Sequence, residues 1–218
     1  MKIENLIAVV LGATGMTGLK LIEKLLLDER FIKIKVISRK PIYYSNNRIE
    51  PIYIENLEEI KSLDTRLKAD IYFCCIGTTI KTAGSRAAFR KVDLDAVKSF
   101  AETAKINQAK SLVVVTAMGA NSKSKVFYNQ VKGEVEDFVL SLKIPNTVIL
   151  RPSLLIGNRM ETRVVESFIV QMVRTISKIA PNNWKKQMGT KVESLVECMI
   201  KEAITPNQEP KIIEAGRI

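Results

Sequence analysis

The feature that most restricts the fold is a glycine-rich turn set between two differently patterned segments. An unbroken apolar run, Leu6 to Leu11, ends at Gly12-Ala13-Thr14-Gly15-Met16-Thr17-Gly18. A stretch with Leu19, Ile22, Leu25 and Leu26 at helical spacing follows at once. Strand, turn and helix in that order give each glycine a physical task. One makes a tight turn, one lets the backbone approach a phosphate group, and one lets the helix pack closely on the strand. The start of the helix adds amide donors and a partial positive charge, a favourable place for phosphate. Gly12, Thr14, Gly15, Met16, Thr17 and Gly18 are therefore candidate ligand-binding residues.

The rest of the chain repeats the same alternation. Ile34 to Ile37, Ile52 to Ile54, Ile71 to Ile76, Leu112 to Val115 and Thr147 to Leu150 are short apolar runs, as expected of strands covered on both faces. Between them lie helical patterns: Ser85 to Asn107 with Phe89, Val92, Ala96, Phe100 and Ala104 inward, and about Lys125 to Lys143 with Val131, Val135, Phe138 and Leu142 inward. The pattern predicts an α/β fold, a Rossmann-type doubly wound parallel sheet. With 218 residues the chain is expected to form a single domain, residues 1–218, in which 153–218 make a small helical C-terminal extension on the substrate side. Val164 to Ile176 reads as a helix with a wide apolar stripe, taken as core or cap packing, with a homo-oligomer or protein contact as the alternative. A last helix from about Lys191 to Ala203 and a short run at Ile212-Ile213 close the chain.

Composition removes several kinds of chemistry. With no histidine in the chain, histidine triads and His-ligated metals are excluded, and acid–base work falls to Tyr, Lys, Asp, Glu or Cys. Cys74, Cys75 and Cys198 are odd in number and lack metal-type spacing, so no metal site is expected and a reducing cytoplasm fits best. The first apolar run is too short to cross a bilayer, which argues against membrane insertion. A net charge of +11 favours anionic partners. The basic residues are nevertheless scattered, without a basic block or interleaved aromatics, so a specific nucleic-acid site is not expected.

The end of the second strand chooses between two forms of a dinucleotide. An acid there would hold a ribose 2′-hydroxyl, but the chain reads Ser38-Arg39-Lys40, about 20 residues beyond the glycine turn. Arg39, with Lys40 and Ser38 beside it, suits a 2′-phosphate. NADP(H) is accordingly favoured over NAD(H).

Several separate words now stand in order: Gly12-Ala13-Thr14-Gly15, Cys74-Cys75-Ile76-Gly77-Thr78-Thr79, Lys81-Thr82-Ala83-Gly84-Ser85, Phe89, Val92-Asp93, Gly119-Ala120, Tyr128 to Lys132 followed by Gly133-Glu134-Val135-Glu136, and Arg151-Pro152. On these words the chain resembles the atypical short-chain dehydrogenase/reductases, most closely the Tat-interacting-protein-like oxidoreductases. The resemblance implies a catalytic pair, Tyr128 and Lys132, spaced to lie one helical turn apart. An ammonium there would lower the phenol's pKa, and the phenol would carry the proton that accompanies hydride transfer. It also implies that Lys132 holds the nicotinamide ribose and that Cys75, Ile76, Gly77, Thr78 and Thr79 lie along the cofactor. Arg151, Pro152 and Ser153 would then reach its nicotinamide end. The chain departs from the family where a second Ser is usual at the end of the fifth strand. Ala117 stands there, leaving Thr116 as the catalytic candidate, with Ser122 and Ser124 nearby. Tyr53 occupies a position where relatives often place an Asp. Arg159 and Arg163 either face an anionic substrate or form salt bridges.

The sequence thus points to an NADP(H)-dependent oxidoreductase acting on a small carbonyl or alcohol, its substrate unnamed. Two other readings stand beside it. One is a non-catalytic NADP(H)-binding regulator or redox sensor, and the other is a nucleoside-diphosphate-sugar epimerase, for which the region after Leu150 is short.

Overall fold

A computed structural model describes residues 5–157, 189–207 and 209–218. The expected helix over Val164 to Ile176, and Arg159 and Arg163 before it, lie outside the described residues. Seven strands form one sheet in the order β3-β2-β1-β4-β5-β6-β9. They are β1 (Leu6–Leu11), β2 (Phe31–Ser38), β3 (Ile49–Tyr53), β4 (Ile71–Cys74), β5 (Ser111–Val115), β6 (Asn146–Arg151) and β9 (Lys211–Glu214), and every neighbouring pair is parallel. A second small parallel sheet pairs β7 (Leu155–Ile156) with β8 (Thr190–Lys191).

The two-sided burial expected of the apolar runs follows from the period of two along a strand. In β1, Val9 and Leu11 enter one core with α4 (Ala96–Ile106) and α5 (Phe127–Ser141). Ala8 and Val10 enter the other, against α1 (Met16–Leu27) and the C-terminal helix Val192–Ile204. In β4 the same alternation sends Tyr72 and Cys74 to the first core and Ile71 and Phe73 to the second. The C-terminal segment is thus built into the sheet: its helix shares a core with α1, and β9 pairs with β6 from Val148↔Lys211 to Arg151↔Glu214.

Three helical expectations change in detail. In α1, Leu19 is half exposed, while Thr17, Gly18, Leu21, Ile22 and Leu25 are buried. The close approach of Gly18 to the turn rotates that face inward, since a Cβ there would lie 2.2 Å from the Gly12 carbonyl oxygen. In α5 the buried line passes through Val131, Val135 and Val139 instead of Phe138, whose ring lies under the Lys98 ammonium at 4.9 Å. The long helix over Ser85 to Asn107 is three pieces: α3 (Arg86–Arg90), a π turn over Lys91–Asp95, and α4. The widened turn leaves Val92 half-buried and buries Asp93.

Because β1 lies between β2 and β4, the chain leaves it in opposite directions on its two sides. This switch point, at the carboxyl ends of the strands, is where open sheets of this kind form a crevice.

Candidate active site

The crevice begins at the turn after β1. Gly12 has φ +85°, and a Cβ on it would sit 2.5 Å from the Ile76 amide nitrogen, so the loops after β1 and β4 touch through backbone atoms. At Gly15, by contrast, a Cβ would meet only the Gly12 oxygen at 3.5 Å, leaving that face open. Gly15 also caps α1, whose first turn carries no acidic residue and no side-chain cap. Gly15, Met16 and Thr17 at this helix start line the crevice, and the uncapped amides of a first turn suit a phosphate-bearing ligand.

Two adjoining cavities share Gly15, Cys75, Ile76, Gly77 and Thr78. The larger, about 500 Å³, is lined by Gly12 and Thr14 from the turn and by Ser38 and Arg39 from the end of β2. Ile54, Leu57, Thr82, Ala83, Ala88 and Val92 complete its apolar and small-residue walls. The smaller, about 240 Å³, is lined by Met16, Thr17, Asp93, Thr116, Ala117, Tyr128, Lys132, Pro152 and Ser153, with Val115, Leu154 and Leu155. One compartment with an exposed arginine, joined across a glycine turn to one with a tyrosine and a lysine, fits an extended dinucleotide.

Other candidates are occupied elsewhere. Lys40 is exposed and does not line either cavity, and its carbonyl accepts the Ser38 hydroxyl (2.7 Å). Thr79 caps the short helix α2 (Ile80–Ala83), its hydroxyl oxygen accepting the Thr82 amide (2.9 Å). Tyr53 is half exposed and lies outside both cavities, where Ile54 and Leu57 form the wall instead. Ser122 and Ser124 also stay outside, the Ser124 hydroxyl oxygen accepting the Val126 amide (3.1 Å).

Arg151 turns away from both cavities. Its guanidinium grips Glu136 through Nε (3.0 and 3.2 Å) and Nη2 (2.5 Å) and reaches Glu214 through Nη1 (2.8 Å). The cofactor contact expected of Arg151 therefore has to be made by a residue whose guanidinium fork is already claimed by the buried Glu136 carboxylate. Thr116 lines the smaller cavity, yet its hydroxyl donates to the same carboxylate (2.6 Å). It is therefore not a free donor for a substrate oxygen. Ser153 is locked into the β7–β8 junction, 3.1 Å from the Thr190 hydroxyl and accepting the Gly189 amide (3.2 Å).

Tyr128 and Lys132 share one face of α5, with the Lys132 Nζ 6.0 Å from the Tyr128 ring centroid. Among the described residues nothing bonds the Tyr128 hydroxyl. The neighbour that the spacing did not reveal is Asp93. Its side chain is 1% exposed, its Oδ1 lies 2.7 Å from Lys132 Nζ, and its Oδ2 accepts the Thr78 amide (2.9 Å). Burial works against the Lys132 charge, but Asp93 outweighs it and holds the ammonium above its ordinary pKa range. The Tyr128 phenol is also pushed up, by burial first; the lysine opposes the rise and Asp93 adds to it. The expected lowering of the phenol is reversed, because burial outweighs the pull of the lysine and Asp93 opposes that pull. Burial raises the Cys74 thiol to about 12 and the Cys75 thiol as well, so both are protonated near neutral pH, Cys74 in the core and Cys75 on the cavity wall.

Residues 12–167 match the sequence profile of a family described as NAD(P)H-binding. Protein HTATIP2 of Rattus norvegicus is 31% identical over 209 residues, covering 94% of this chain and 84% of the relative. The chain belongs to this NAD(P)H-binding family. Within this HTATIP2- and FMP52-like family, Protein FMP52, mitochondrial, of Candida albicans is 31% identical over 192 residues, covering 86% of this chain and 80% of the relative. Among solved structures, the Bordetella bronchiseptica enzyme WbmH in complex with NAD+ superposes on this chain with a TM-score of 0.72 at 12% identity, covering 98% of this chain and 77% of WbmH. A UDP-glucose 4-epimerase from Thermotoga maritima gives a TM-score of 0.70 at 13% identity, covering 95% of this chain and 76% of the epimerase. Likeness at that identity speaks for the fold alone. Among the described residues of this family member, no helix is long and apolar enough to cross a membrane.

Proposed function

We propose that the protein is an NADP(H)-dependent reductase or dehydrogenase of a small carbonyl or alcohol. The observation that carries the reading is that Tyr128 and Lys132 line a cavity continuous with the open glycine turn. A nicotinamide bound in the smaller cavity would supply hydride to the carbonyl carbon. The Tyr128 hydroxyl would give its proton to the oxygen as that oxygen takes up the electron pair of the C=O π bond, and solvent would restore the phenol. Lys132 would orient the ribose hydroxyls, and the apolar wall of Met16, Ile76, Val115 and Leu155 would limit water. Steady NADPH consumption with a panel of aldehydes, ketones and quinones supports the reading; a protein that binds NADPH and consumes none with any of them refutes it.

Preference for NADP(H) rests on Arg39, which lines the larger cavity at the strand end that carries no acid. NADPH should bind more tightly than NADH, and Arg39→Ala should remove about 1.5 to 3 kcal/mol of the difference, the worth of a charge-assisted bond. Equal wild-type affinities in a fluorescence titration would reject the assignment.

The second reading, a dinucleotide-binding regulator without turnover, is favoured by Ala117 together with the commitment of the Thr116 hydroxyl to Glu136. An epimerase gains only a shared fold from its structural neighbours. Residues 153–218 are proposed to face the substrate within one domain, 1–218. The three cysteines are unpaired. A reducing compartment is proposed, the cytoplasm as expected from the thiols or the mitochondrion as in the names of the fungal relatives. The partner proposed is a small molecule. Duplex DNA should bind weakly, its affinity falling steeply between about 50 and 200 mM salt, as pure phosphate attraction does. Sequence-selective binding at physiological salt, measured by anisotropy, would overturn that expectation.

A further inference from the structure

We propose that Asp93 is a positioning residue that neutralises Lys132 and so keeps Tyr128 a proton donor, suiting the site to reduction. The inference rests on Tyr128 as the proton carrier of the reaction proposed above. Its starting point is a buried charge whose cost has to be met. A carboxylate with a side chain 1% exposed and an ammonium 5% exposed, 2.7 Å apart, form a pair that is neutral as a whole. The carboxylate is fixed from its other oxygen by the Thr78 amide, and it is aimed inward by the π turn that interrupts the helix. It thereby ties the loop after β4 to α5 at the wall shared by the two cavities.

The groups facing Tyr128 can be enumerated by element. Its own helix brings Lys132; the π turn brings Asp93; β4 brings the protonated Cys74, which shares its core, and the loop after β4 brings Cys75 to the same cavity; and α3 brings the uncharged Phe89, ring centroid 5.7 Å away. Glu136 on the same helix is taken up by Thr116 and Arg151. The nearest charges are thus one cation and one anion, 2.7 Å apart, and the anion opposes the cation's pull on the phenol. Reduction needs the phenol, whereas oxidation needs the phenolate. A lone ammonium would favour the phenolate, and the pair does not.

The test needs no substrate. Protein labelled with ¹³Cζ-tyrosine is titrated by NMR without cofactor, and Tyr128→Phe identifies the resonance. In the wild type, Tyr128 should remain a phenol to above about pH 10, and Asp93→Asn should move its midpoint down by about one unit or more, about tenfold more phenolate at a given pH. The double variant Asp93→Asn/Lys132→Gln replaces the pair by neutral groups of similar shape and guards against loss of folding in the single variant. Its midpoint should lie within about half a unit of the wild type, because a neutral pair has been exchanged for another. An Asp93→Asn midpoint that does not move overturns the inference, as does a double-variant midpoint raised by about a unit or more, which would show an uncancelled lysine charge in the wild type. The expected titration together with absent turnover supports the role of Asp93 and strikes only the reductase reading.

Discussion

Tyr128→Phe is expected to reduce NADPH turnover by about 10²- to 10⁴-fold while leaving NADPH affinity almost unchanged. The hydroxyl lies at the cavity, bonded to no described group, and it matters only when a proton moves. Its ring, which packs against Phe89, stays in place after the substitution. Lys132→Ala should behave differently. It removes the proposed ribose contact, so affinity and turnover fall together, and it strands Asp93 in the interior. Breaking a buried pair from one side typically costs about 3 to 5 kcal/mol, so this variant should also unfold at lower temperature. Stopped-flow or steady-state rates with fluorescence-measured affinity separate the two patterns. Full activity in Tyr128→Phe would sink the proton-relay assignment. Ala117→Ser adds a hydroxyl on the cavity wall where the Thr116 hydroxyl is unavailable, and it should raise turnover if a second donor to the substrate oxygen is what limits it.

The largest purely structural effect is expected at Arg151. Its guanidinium joins α5, β6 and β9 by bonding Glu136 and Glu214 at once, and the Glu136 side chain is only 4% exposed. Arg151→Leu would leave that carboxylate inside with the Thr116 hydroxyl as its remaining donor. The cost should be about 3 kcal/mol, the lower end of the range for breaking a buried pair, because Arg151 itself is partly solvated. In a chain of this size each kcal/mol lowers the melting temperature by about 2 to 4 °C, so a fall of about 6 to 12 °C is expected by calorimetry. Glu136→Gln in the Arg151→Leu background should recover part of the loss, since the charge that lacked a partner is gone. A drop of less than about 2 °C for Arg151→Leu would show that water already screens Glu136. Cofactor affinity should change little, which distinguishes this assignment from the one read off the sequence.

These two sites also divide what local pattern can reveal from what it cannot. Tyr128 and Lys132 were legible because a four-residue spacing on a helix fixes a shared face whatever surrounds it. The glycine turn was legible for a similar reason: its tasks follow from its place between Leu11 and Met16. Arg39 could be placed because a strand end next to that turn has only one crevice to border. Arg151 differs from its sequence neighbours Pro152 and Ser153, which line the cavity, because its guanidinium is taken by Glu136 one turn beyond Lys132 on α5 and by Glu214 on β9. Thr116 has the right position and the wrong partner, since Glu136 arrives from α5, 20 residues later.

The sequence by itself determined the order of strands and helices, the two-faced burial of the sheet, the ligand-ready turn after β1 and the tyrosine–lysine face of α5, because each depends on spacing along one short segment. The tertiary structure alone decided which charges meet. Asp93 stands in the sequence beside Val92 at an ordinary helical position, and nothing in its spacing announces a π turn or a partner 39 residues away. Only packing α3, the π turn and α5 against β4 brings its carboxylate to Lys132 and excludes water from the pair. Once water is gone, burial first and then the signs of the neighbouring charges determine how firmly the Tyr128 phenol keeps its proton.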